Sequence, residues 1–382
     1  MTTDTTRPPA GGSTALDDLP LREDLRGEHP YGAPQLHVPV VLNVNENPYP
    51  VAPEVVADIA DAVARAASGL NRYPDREFLD LRADLAAFLR LESGAELTPE
   101  QVWAANGSNE VMLHVLQAFG GPGRTALSFA PTYSMYPEYA RDTLTRWVTG
   151  RRADDFTLDV EHVRAQIAEH RPSVVLLASP NNPTGTALPL AAVEAVLDAV
   201  DSLPQRAVVV VDEAYGEFRR AGVPSALELL PAHGNLAVTR TMSKAFSLAG
   251  ARVGYLAAAP AFVDALRIVR LPYHLSAVTQ AVARAALKHS ATLLSTVAEL
   301  RERRDETVRR LRGEGYRTAE SDANFVLFGT FADRHAVWQG LLERGVLIRE
   351  TGPEGWLRVS VGTADEMAAF HEALTEVDGE KK

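Results

Sequence analysis

The sequence of 382 residues contains no cysteine. This absence excludes disulfides, thiolate nucleophiles and cysteine-ligated metals. The ten histidines show neither the HExxH pattern nor a comparable ligand spacing, so we expect no metal site. Long apolar runs are also missing. The run "AVVVV" at 207–211 is far shorter than the roughly 20 residues that span a bilayer, so we expect no membrane segment.

An excess of positive charge is also lacking. The chain has 50 acidic residues against 38 lysines and arginines, which gives a formal net charge of −12. Binding to nucleic acid or to an anionic membrane needs clustered cations, so we expect neither partner. A small anion can still bind in one basic pocket. The first twenty residues are polar and lack an apolar segment, which predicts a disordered tail, no signal peptide and a cytoplasmic location.

Short apolar runs alternate with amphipathic helical patterns through most of the chain. One such helix is predicted at 76–91, and the arginine-rich run at 301–312 alternates with acidic residues, which predicts a solvated, ion-paired helix face. Strands are predicted at 102–105, 174–178, 207–211 and 236–240. This alternation indicates an α/β fold, with a mostly parallel central sheet covered by helices on both faces. Ligands gather at the carboxyl ends of such strands, where this chain places its polar clusters.

Lys244 lies among small residues in the segment "TRTMSKAFSLAGARVGY" at 239–255. A lysine amine that is desolvated near other cations can form a Schiff base with a carbonyl. Ser243 and Arg252 could hold an anion on the same ligand. Pyridoxal phosphate combines an aldehyde with a phosphate and fits this description. A solvated surface pair of cations explains the same spacing.

Three further polar clusters follow predicted strands. Asp212 could pair with a pyridinium nitrogen and make the ring an electron sink, while Tyr215 and Asn182 could donate to the ring oxygen. The backbone amides of 107–109 open a predicted helix and could bind phosphate. Each cluster also has a purely structural explanation, because Asp, Asn and Ser cap helices and Asn-Pro-x-Gly forms turns.

The segments "SPNNPTG", "VDEAY" and "SKAFSLAGARVGY", in this order and spacing, resemble the fold type I pyridoxal-phosphate-dependent aminotransferases. The resemblance covers nearly the whole chain beyond the tail. It implies that Lys244 is the Schiff-base lysine and that Asp212 pairs with the pyridine nitrogen. The other cofactor contacts that it implies are Tyr215 and Asn182 on the ring oxygen, Tyr133 on the ring face, and Ser108, Asn109, Ser243 and Arg252 on the phosphate. Asn109 stands where many relatives have Asp.

Within that family, segments such as "LNVNENPYP", "LNRYPD" and "VRLPYHLSAVTQ" are most similar to the histidinol-phosphate aminotransferases. The resemblance implies amino transfer between glutamate and imidazole-acetol phosphate. Tyr73 resembles a tyrosine that reaches the cofactor phosphate of the neighbouring subunit, so a homodimer is implied. Arg358 matches an arginine that grips the acidic end of the substrate. Tyr31, Asn47 and Arg349 lie in segments expected to line that pocket.

The predicted organisation follows from the change in pattern near residue 289, where a second α/β domain is expected. The whole chain is expected to comprise four parts. These are a tail or arm at 1–30, a segment at 31–75 that contributes to the small domain and the dimer contact, a large cofactor-binding domain at 76–288 and a small domain at 289–382. Three alternative functions use the same scaffold: an aromatic amino acid aminotransferase, a decarboxylase of a phosphorylated amino acid, and a regulator that would need an additional DNA-binding segment.

Overall fold

The structure is a computed structural model that describes residues 15–379. The chain divides into two compact units, Met1–Pro34 and Gln35–Lys382. The described part of the first unit contains two short 3-10 turns, Leu16–Asp18 and Glu23–Leu25. Residues 1–14 of the predicted tail lie outside the described residues. Among the described residues, no helix is both long and apolar enough to cross a membrane.

The second unit holds the strands and helices of the described chain. Its strands are β1 (Val40–Val41), β2 (Val102–Ala105), β3 (Thr125–Ala130), β4 (Arg146–Arg151), β5 (Val174–Ala178), β6 (Val208–Asp212), β7 (Leu236–Thr241), β8 (Gly254–Ala258), β9 (Arg317–Thr318), β10 (Phe325–Gly329), β11 (Val346–Leu347), β12 (Arg349–Glu350) and β13 (Trp356–Ser360). Its helices are α1 (Pro53–Ala67), α2 (Leu79–Ser93), α3 (Ser108–Phe119), α4 (Tyr136–Asp142), α5 (Val160–His170), α6 (Leu190–Asp201), α7 (Pro260–Val269), α8 (Ala277–Lys288), α9 (Ser290–Leu293), α10 (Ser295–Gly313), α11 (Arg334–Glu343) and α12 (Ala364–Gly379).

A seven-stranded sheet forms the centre of this unit, in the order β2-β8-β7-β6-β5-β3-β4. Strand β8 runs antiparallel to both of its neighbours, and the other pairs are parallel. Every side chain of β5, β7 and β8 is buried. Because successive side chains of a strand point to opposite faces, both faces of the sheet are covered. The predicted α/β fold with a mostly parallel sheet is confirmed.

Helix α2 begins three residues later than the apolar spacing predicts. Its first residue is Leu79, because Phe78 adopts a left-handed conformation with φ of 39° and breaks the helical path. The Asp75 carboxylate accepts hydrogen bonds from the backbone N–H groups of Glu77, at 2.9 Å, and Leu79, at 3.0 Å. The Asp75 side chain therefore satisfies the N–H group of the first helical residue, Leu79.

A second, antiparallel sheet has the order β12-β13-β10-β9. It packs a hydrophobic core of its own with helices α10, α11 and α12, and this core includes Leu42, Phe328 and Phe370. The early strand β1 pairs in parallel with β11, which ties the N-terminal segment to this region. The predicted domain boundaries after residues 75 and 288 both fall inside the compact unit Gln35–Lys382. They stay predictions.

Helix α10 carries the arginine-rich run, and only some of these arginines lie on a solvated face of the helix. Arg303 pairs with Glu299 one turn earlier, at 2.6 Å, as an ion-paired surface requires. Arg304, however, is fully buried and donates to the carbonyl of Phe218 at 2.9 Å. The expectation of a solvated face is wrong for this residue, because the helix packs against the 3-10 turn Gly216–Phe218.

Candidate active site

The polar residues predicted to act together follow three neighbouring parallel strands. Asn182 lies in the loop after β5, Asp212 is the last residue of β6, and Lys244 follows β7. Strands β5, β6 and β7 are adjacent in the sheet. Because the carboxyl ends of adjacent parallel strands share one edge of the sheet, the fold gathers these three residues there.

Lys244 is half-buried, and its amine donates a hydrogen bond to the carbonyl oxygen of Val44 at 2.8 Å. Burial and the nearby guanidinium of Arg358 lower the pKa of Lys244 to about 8. A neutral amine is a nucleophile and an ammonium is not. Lowering the pKa toward neutrality therefore raises the fraction of Lys244 that can react with a carbonyl.

Asp212 is 7% exposed. Among the residues that the structure describes, only neutral groups donate hydrogen bonds to its carboxylate. The Tyr136 hydroxyl donates to Oδ2 at 3.0 Å, while the Thr239 hydroxyl and the Ala214 N–H donate to Oδ1 at 3.1 Å and 3.2 Å. Burial raises the pKa of Asp212, and the donor groups act against this rise. A buried carboxylate of this kind is suited to pairing with a cationic ligand group.

Tyr215 and Asn182, predicted to serve one oxygen atom, lie beside each other. The Tyr215 hydroxyl oxygen accepts from Asn45 Nδ2 at 2.9 Å and from Asn182 Nδ2 at 3.5 Å. The Asn182 Oδ1 atom accepts from the Arg358 guanidinium at 2.5 Å. Arg358 also donates to the carbonyl of Asn43 at 2.8 Å. These bonds connect the loop after β5 to strand β13.

An anion-binding cradle lies between the start of α3 and the segment after β7. Arg252 donates to the Ser243 hydroxyl at 3.4 Å. A Cβ atom at Gly107 would collide with the Arg252 guanidinium, and one at Gly254 would collide with the backbone of Ser108. Gly107 also has a φ of +86°, which side chains rarely adopt. Gly107 therefore lets the guanidinium approach the helix start, and Gly254 lets strand β8 approach it.

The backbone of this cradle differs in one detail from the sequence expectation. The N–H of Gly107 donates to the carbonyl of Ala105 at 2.8 Å, so it does not face an anion. Ser108 and Asn109 begin helix α3, where the first N–H groups have no acceptor inside the helix. Two of the three expected amides thus remain available, at the positive end of the helix dipole.

Tyr133 lies at the same edge of the sheet. Its hydroxyl is 3.5 Å from Asn109 Oδ1, at the outer limit of a hydrogen bond. An open cleft of about 500 Å³ lies beside it, with Trp147, Pro183 and Gly352 also in its wall. Tyr133 therefore combines a position next to the cradle with an aromatic face at a cleft large enough for a small-molecule ligand.

Arg349 and Arg358 are directly opposite each other on the antiparallel strands β12 and β13. Residues in this register point to the same face of a sheet, and two like charges there repel each other. The Arg349 side chain makes no hydrogen bond or ion pair with the residues that the structure describes. An anion with two or more acceptor oxygens would relieve this repulsion.

The remaining predicted residues occupy three different settings. The Asn47 amide donates to the Thr296 hydroxyl at 3.2 Å and to the carbonyl of Ala245 at 3.3 Å. Ala245 is the residue that follows Lys244 in the chain. Tyr73 is 79% exposed and stacks on Tyr273, with 4.4 Å between ring centroids. Tyr31 belongs to the unit Met1–Pro34 and is 46% exposed. The functional roles of all three stay predictions.

Comparison with known proteins places the chain in a family. The model for class I and II aminotransferases matches residues 38–374. The chain belongs to this family. Histidinol-phosphate aminotransferase 3 from Burkholderia lata and histidinol-phosphate aminotransferase from Thermobifida fusca are each 61% identical to it over 365 residues, covering 96% of this chain and 97% of each relative.

A solved structure agrees with the fold of this class I and II aminotransferase. The crystal structure of histidinol-phosphate aminotransferase from Sinorhizobium meliloti in complex with pyridoxal-5'-phosphate is similar, with a TM-score of 0.77. The two are 26% identical, and the match covers 90% of this chain and 92% of that one. The recognition of an aminotransferase from its three sequence segments is confirmed.

Three residues of this aminotransferase site escaped the sequence analysis: Asn45, Tyr136 and Thr239. Thr239 is the register partner of Asp212 on the adjacent strand, so pairing of the predicted strands could have revealed it. Tyr136 lies three residues after Tyr133, close to one helical turn, which is a weak signal. No local pattern marks Asn45, because its contact with Tyr215 joins residues 170 positions apart.

Proposed function

We propose that the chain is a pyridoxal-phosphate-dependent aminotransferase of histidine biosynthesis, which transfers an amino group between L-glutamate and imidazole-acetol phosphate. The products are 2-oxoglutarate and L-histidinol phosphate. One observation carries the proposal: the Lys244 amine, a buried carboxylate and an anion cradle meet at one sheet edge. The names of relatives that are 61% identical over nearly the full length support this choice of substrate.

The residues of the site fit the cofactor in their chemistry. In the cradle, Ser243, Arg252 and the amides of Ser108 and Asn109 would hold its phosphate, in the space that a Cβ at Gly107 would disturb. The Asp212 carboxylate would pair with the ring nitrogen. The ring oxygen would lie near Tyr215 and Asn182, and Tyr133 would cover the ring face.

The bound cofactor supplies an aldehyde that takes up the amino group and a ring that withdraws electrons from the reacting carbon. Lys244 would hold the cofactor at rest and would move a proton at the substrate carbon, for which a pKa of about 8 is well placed. The positive charge of the ring nitrogen would favour the ionised form of Asp212, and the three hydrogen-bond donors would hold its carboxylate oxygens in place. Arg358 binds the acidic end of either substrate.

The pair Arg349 and Arg358 supports a phosphate-bearing acceptor over an aromatic keto acid. A phosphate monoester carries a charge of about −1.5 to −2 at neutral pH and has three acceptor oxygens, whereas phenylpyruvate carries one carboxylate. Two guanidinium groups on one face of the sheet match the larger charge. Glutamate, with two carboxylates, also suits a site with more than one cation.

The test compares amino acceptors at a fixed concentration of glutamate. Imidazole-acetol phosphate is expected to give a higher kcat/KM than phenylpyruvate. Arg349→Gln should lower kcat/KM for the phosphate substrate by about 10- to 100-fold, the cost of one hydrogen bond to a charged group, and change it little for phenylpyruvate. Arg344→Gln, which removes an equal charge five residues earlier, is the control. A preference for phenylpyruvate in the unaltered protein would contradict the proposed substrate.

A homodimer with shared active sites, in the cytoplasm, is part of the same proposal. Tyr73 supports it, because a large ring that is 79% exposed is available to a second copy of the chain. Mixing Tyr73→Phe chains with Lys244→Ala chains tests the shared site. If Tyr73 serves the neighbouring subunit, each mixed dimer regains one unaltered site and activity returns. Mixed dimers of verified composition that stay inactive would contradict this role.

A further inference from the structure

Asn45 is a buried amide with unusual backbone geometry. It is 1% exposed and has a φ of 57°, in the left-handed region that Asn tolerates better than most residues. Its side-chain Nδ2 atom donates to the Tyr215 hydroxyl oxygen at 2.9 Å. The contact from Asn182 to the same oxygen is longer, at 3.5 Å. Asn45 is therefore the stronger of these two donors to Tyr215.

The orientation of the Asn45 amide is fixed from the opposite side by Ser360. The Ser360 hydroxyl donates to Asn45 Oδ1 at 2.9 Å and accepts from the Asn45 backbone N–H, also at 2.9 Å. Asn324 donates to the Asn45 carbonyl at 3.1 Å. With its oxygen on Ser360, the amide can present only its NH₂ group to Tyr215.

Asn45 also lies between the cofactor side and the substrate side of the site. Ser360 is two residues after Arg358 on β13, so the two side chains point to the same face of the sheet. Arg358 donates to the carbonyl of Asn43, in the same short segment as Asn45. Hydrogen bonds thus connect the strand that carries Arg358 to the hydroxyl of Tyr215.

We propose that Asn45 is a positioning residue that directs the Tyr215 hydroxyl proton toward the ring oxygen of the cofactor. This inference rests on the proposed function. A hydroxyl whose oxygen accepts an N–H must point its own proton to another side. The donation from Asn45 also makes Tyr215 a stronger donor, because hydrogen bonds in a chain polarise one another. Asn182 then remains free to serve the ring oxygen as a second donor.

The experiment measures the pH midpoint at which the visible absorption of the Lys244-bound cofactor changes. A donor to the ring oxygen favours its ionised form, so removing the Tyr215 hydroxyl in Tyr215→Phe should raise this midpoint. Asn45→Gly removes the amide and suits a positive φ. It should raise the midpoint by about half to one pH unit, which corresponds to one hydrogen bond. Charged neighbours of Lys244, namely Arg358, Glu46 and Arg252, are unchanged in these variants.

A double variant separates positioning from a merely structural role. If Asn45 acts through the Tyr215 hydroxyl, adding Asn45→Gly to Tyr215→Phe produces no additional shift of the midpoint. An equal shift in both backgrounds, or no shift in either, overturns the inference. If Asn45→Gly does not fold, as judged by circular dichroism, Ser360→Ala replaces it in the same comparison. This second substitution releases the Asn45 amide and should raise the midpoint by a smaller amount.

The proposed function fails in a distinguishable way. A chain that is not a pyridoxal phosphate enzyme would show no cofactor absorption at all, even without any substitution. If the unaltered protein binds the cofactor and Tyr215→Phe raises the midpoint while neither Asn45→Gly nor Ser360→Ala does, only the role of Asn45 is wrong.

Discussion

Asp212 and Glu213 are neighbours in the chain, and both carboxylates are buried, but their surroundings differ. Asp212 is held by three neutral donors. Glu213 lies in a buried ion network, which we define as the carboxylates of Glu92, Glu213 and Glu217 with the guanidinium groups of Arg219 and Arg240. The Asp212 carboxylate can therefore still bind a cationic ligand group, whereas the Glu213 carboxylate is already paired with two guanidinium groups.

The cations of the two regions differ in the same way. Arg240 is fully buried and lies 2.8 Å from Glu213 and 3.0 Å from Glu217, and these carboxylates raise the pKa of Arg240 well above its usual range. Lys244, four residues later, hydrogen-bonds a backbone carbonyl, and burial lowers its pKa to about 8. A paired cation is inert, whereas an unpaired buried amine is destabilised and reactive. We therefore propose that the network is a scaffold and that the region around Lys244 carries the chemistry.

Lys244→Ala should have the largest effect on activity. We expect turnover to fall by at least about 10³-fold, because both the covalent attachment and the proton transfer depend on this amine. Cofactor should still bind noncovalently, since its phosphate and ring contact other residues. Steady-state rates and equilibrium dialysis measure the two effects. Near-normal turnover in this variant would show that another residue carries the chemistry.

Asp212→Asn and Glu213→Gln are a matched pair that tests the comparison directly. Each replaces a buried carboxylate by an amide of the same shape. Asp212→Asn should lower kcat by about 10²-fold or more, while the cofactor-free protein keeps or gains stability, because burial already disfavours the charge. Glu213→Gln should lower the free energy of unfolding by about 3 kcal/mol, because it leaves buried guanidinium charge uncompensated.

The two variants are compared by urea unfolding without cofactor and by activity at a temperature where both are folded. The proposed difference between Asp212 and Glu213 is wrong if both variants lose activity to the same extent at equal stability. It is also wrong if Asp212→Asn is the less stable of the two. The first result would mean that the two carboxylates do not differ in function, and the second would mean that Asp212 is a structural cap.

A smaller effect concerns the cost of burying the Lys244 amine. The pKa of this amine is lowered in the folded protein, so the unfolded chain binds its proton more tightly. The resulting loss of stability is fully present below about pH 8 and fades as the pH rises toward the usual lysine value. Lys244→Met should therefore stabilise the cofactor-free protein by about 1–3 kcal/mol at pH 7, and by less at pH 10. Urea unfolding at both pH values measures the difference, and a gain that grows with pH would contradict the assignment.

Much of the site could be predicted because it depends on the ends of parallel strands. Apolar runs of four or five residues marked the strands, and the polar residues after them had to meet at one edge. The order of the strands is thus enough to bring Asn182, Asp212 and Lys244 together. The three quoted segments then identified the aminotransferase family, which the comparison confirmed.

The rest could not be predicted because it depends on contacts between distant segments. Asn45 reaches Tyr215 across 170 positions through a left-handed backbone conformation that leaves no periodic signal. Arg304 is buried only because α10 packs against the turn Gly216–Phe218, so its charged neighbours in the sequence were misleading. Glu213 likewise gives no local sign that it belongs to an ion network.

A labelling experiment can show whether Lys244 carries the cofactor. The sequence contains only four lysines, Lys244, Lys288, Lys381 and Lys382, so the assignment has few alternatives. The protein is incubated with pyridoxal phosphate, reduced with borohydride, digested and analysed by mass spectrometry. We predict one label per chain, on the peptide that contains Lys244, and no stoichiometric label in Lys244→Ala. A stoichiometric label on Lys288 or on the C-terminal lysines, with Lys244 unmodified, would show that Lys244 is not the attachment site.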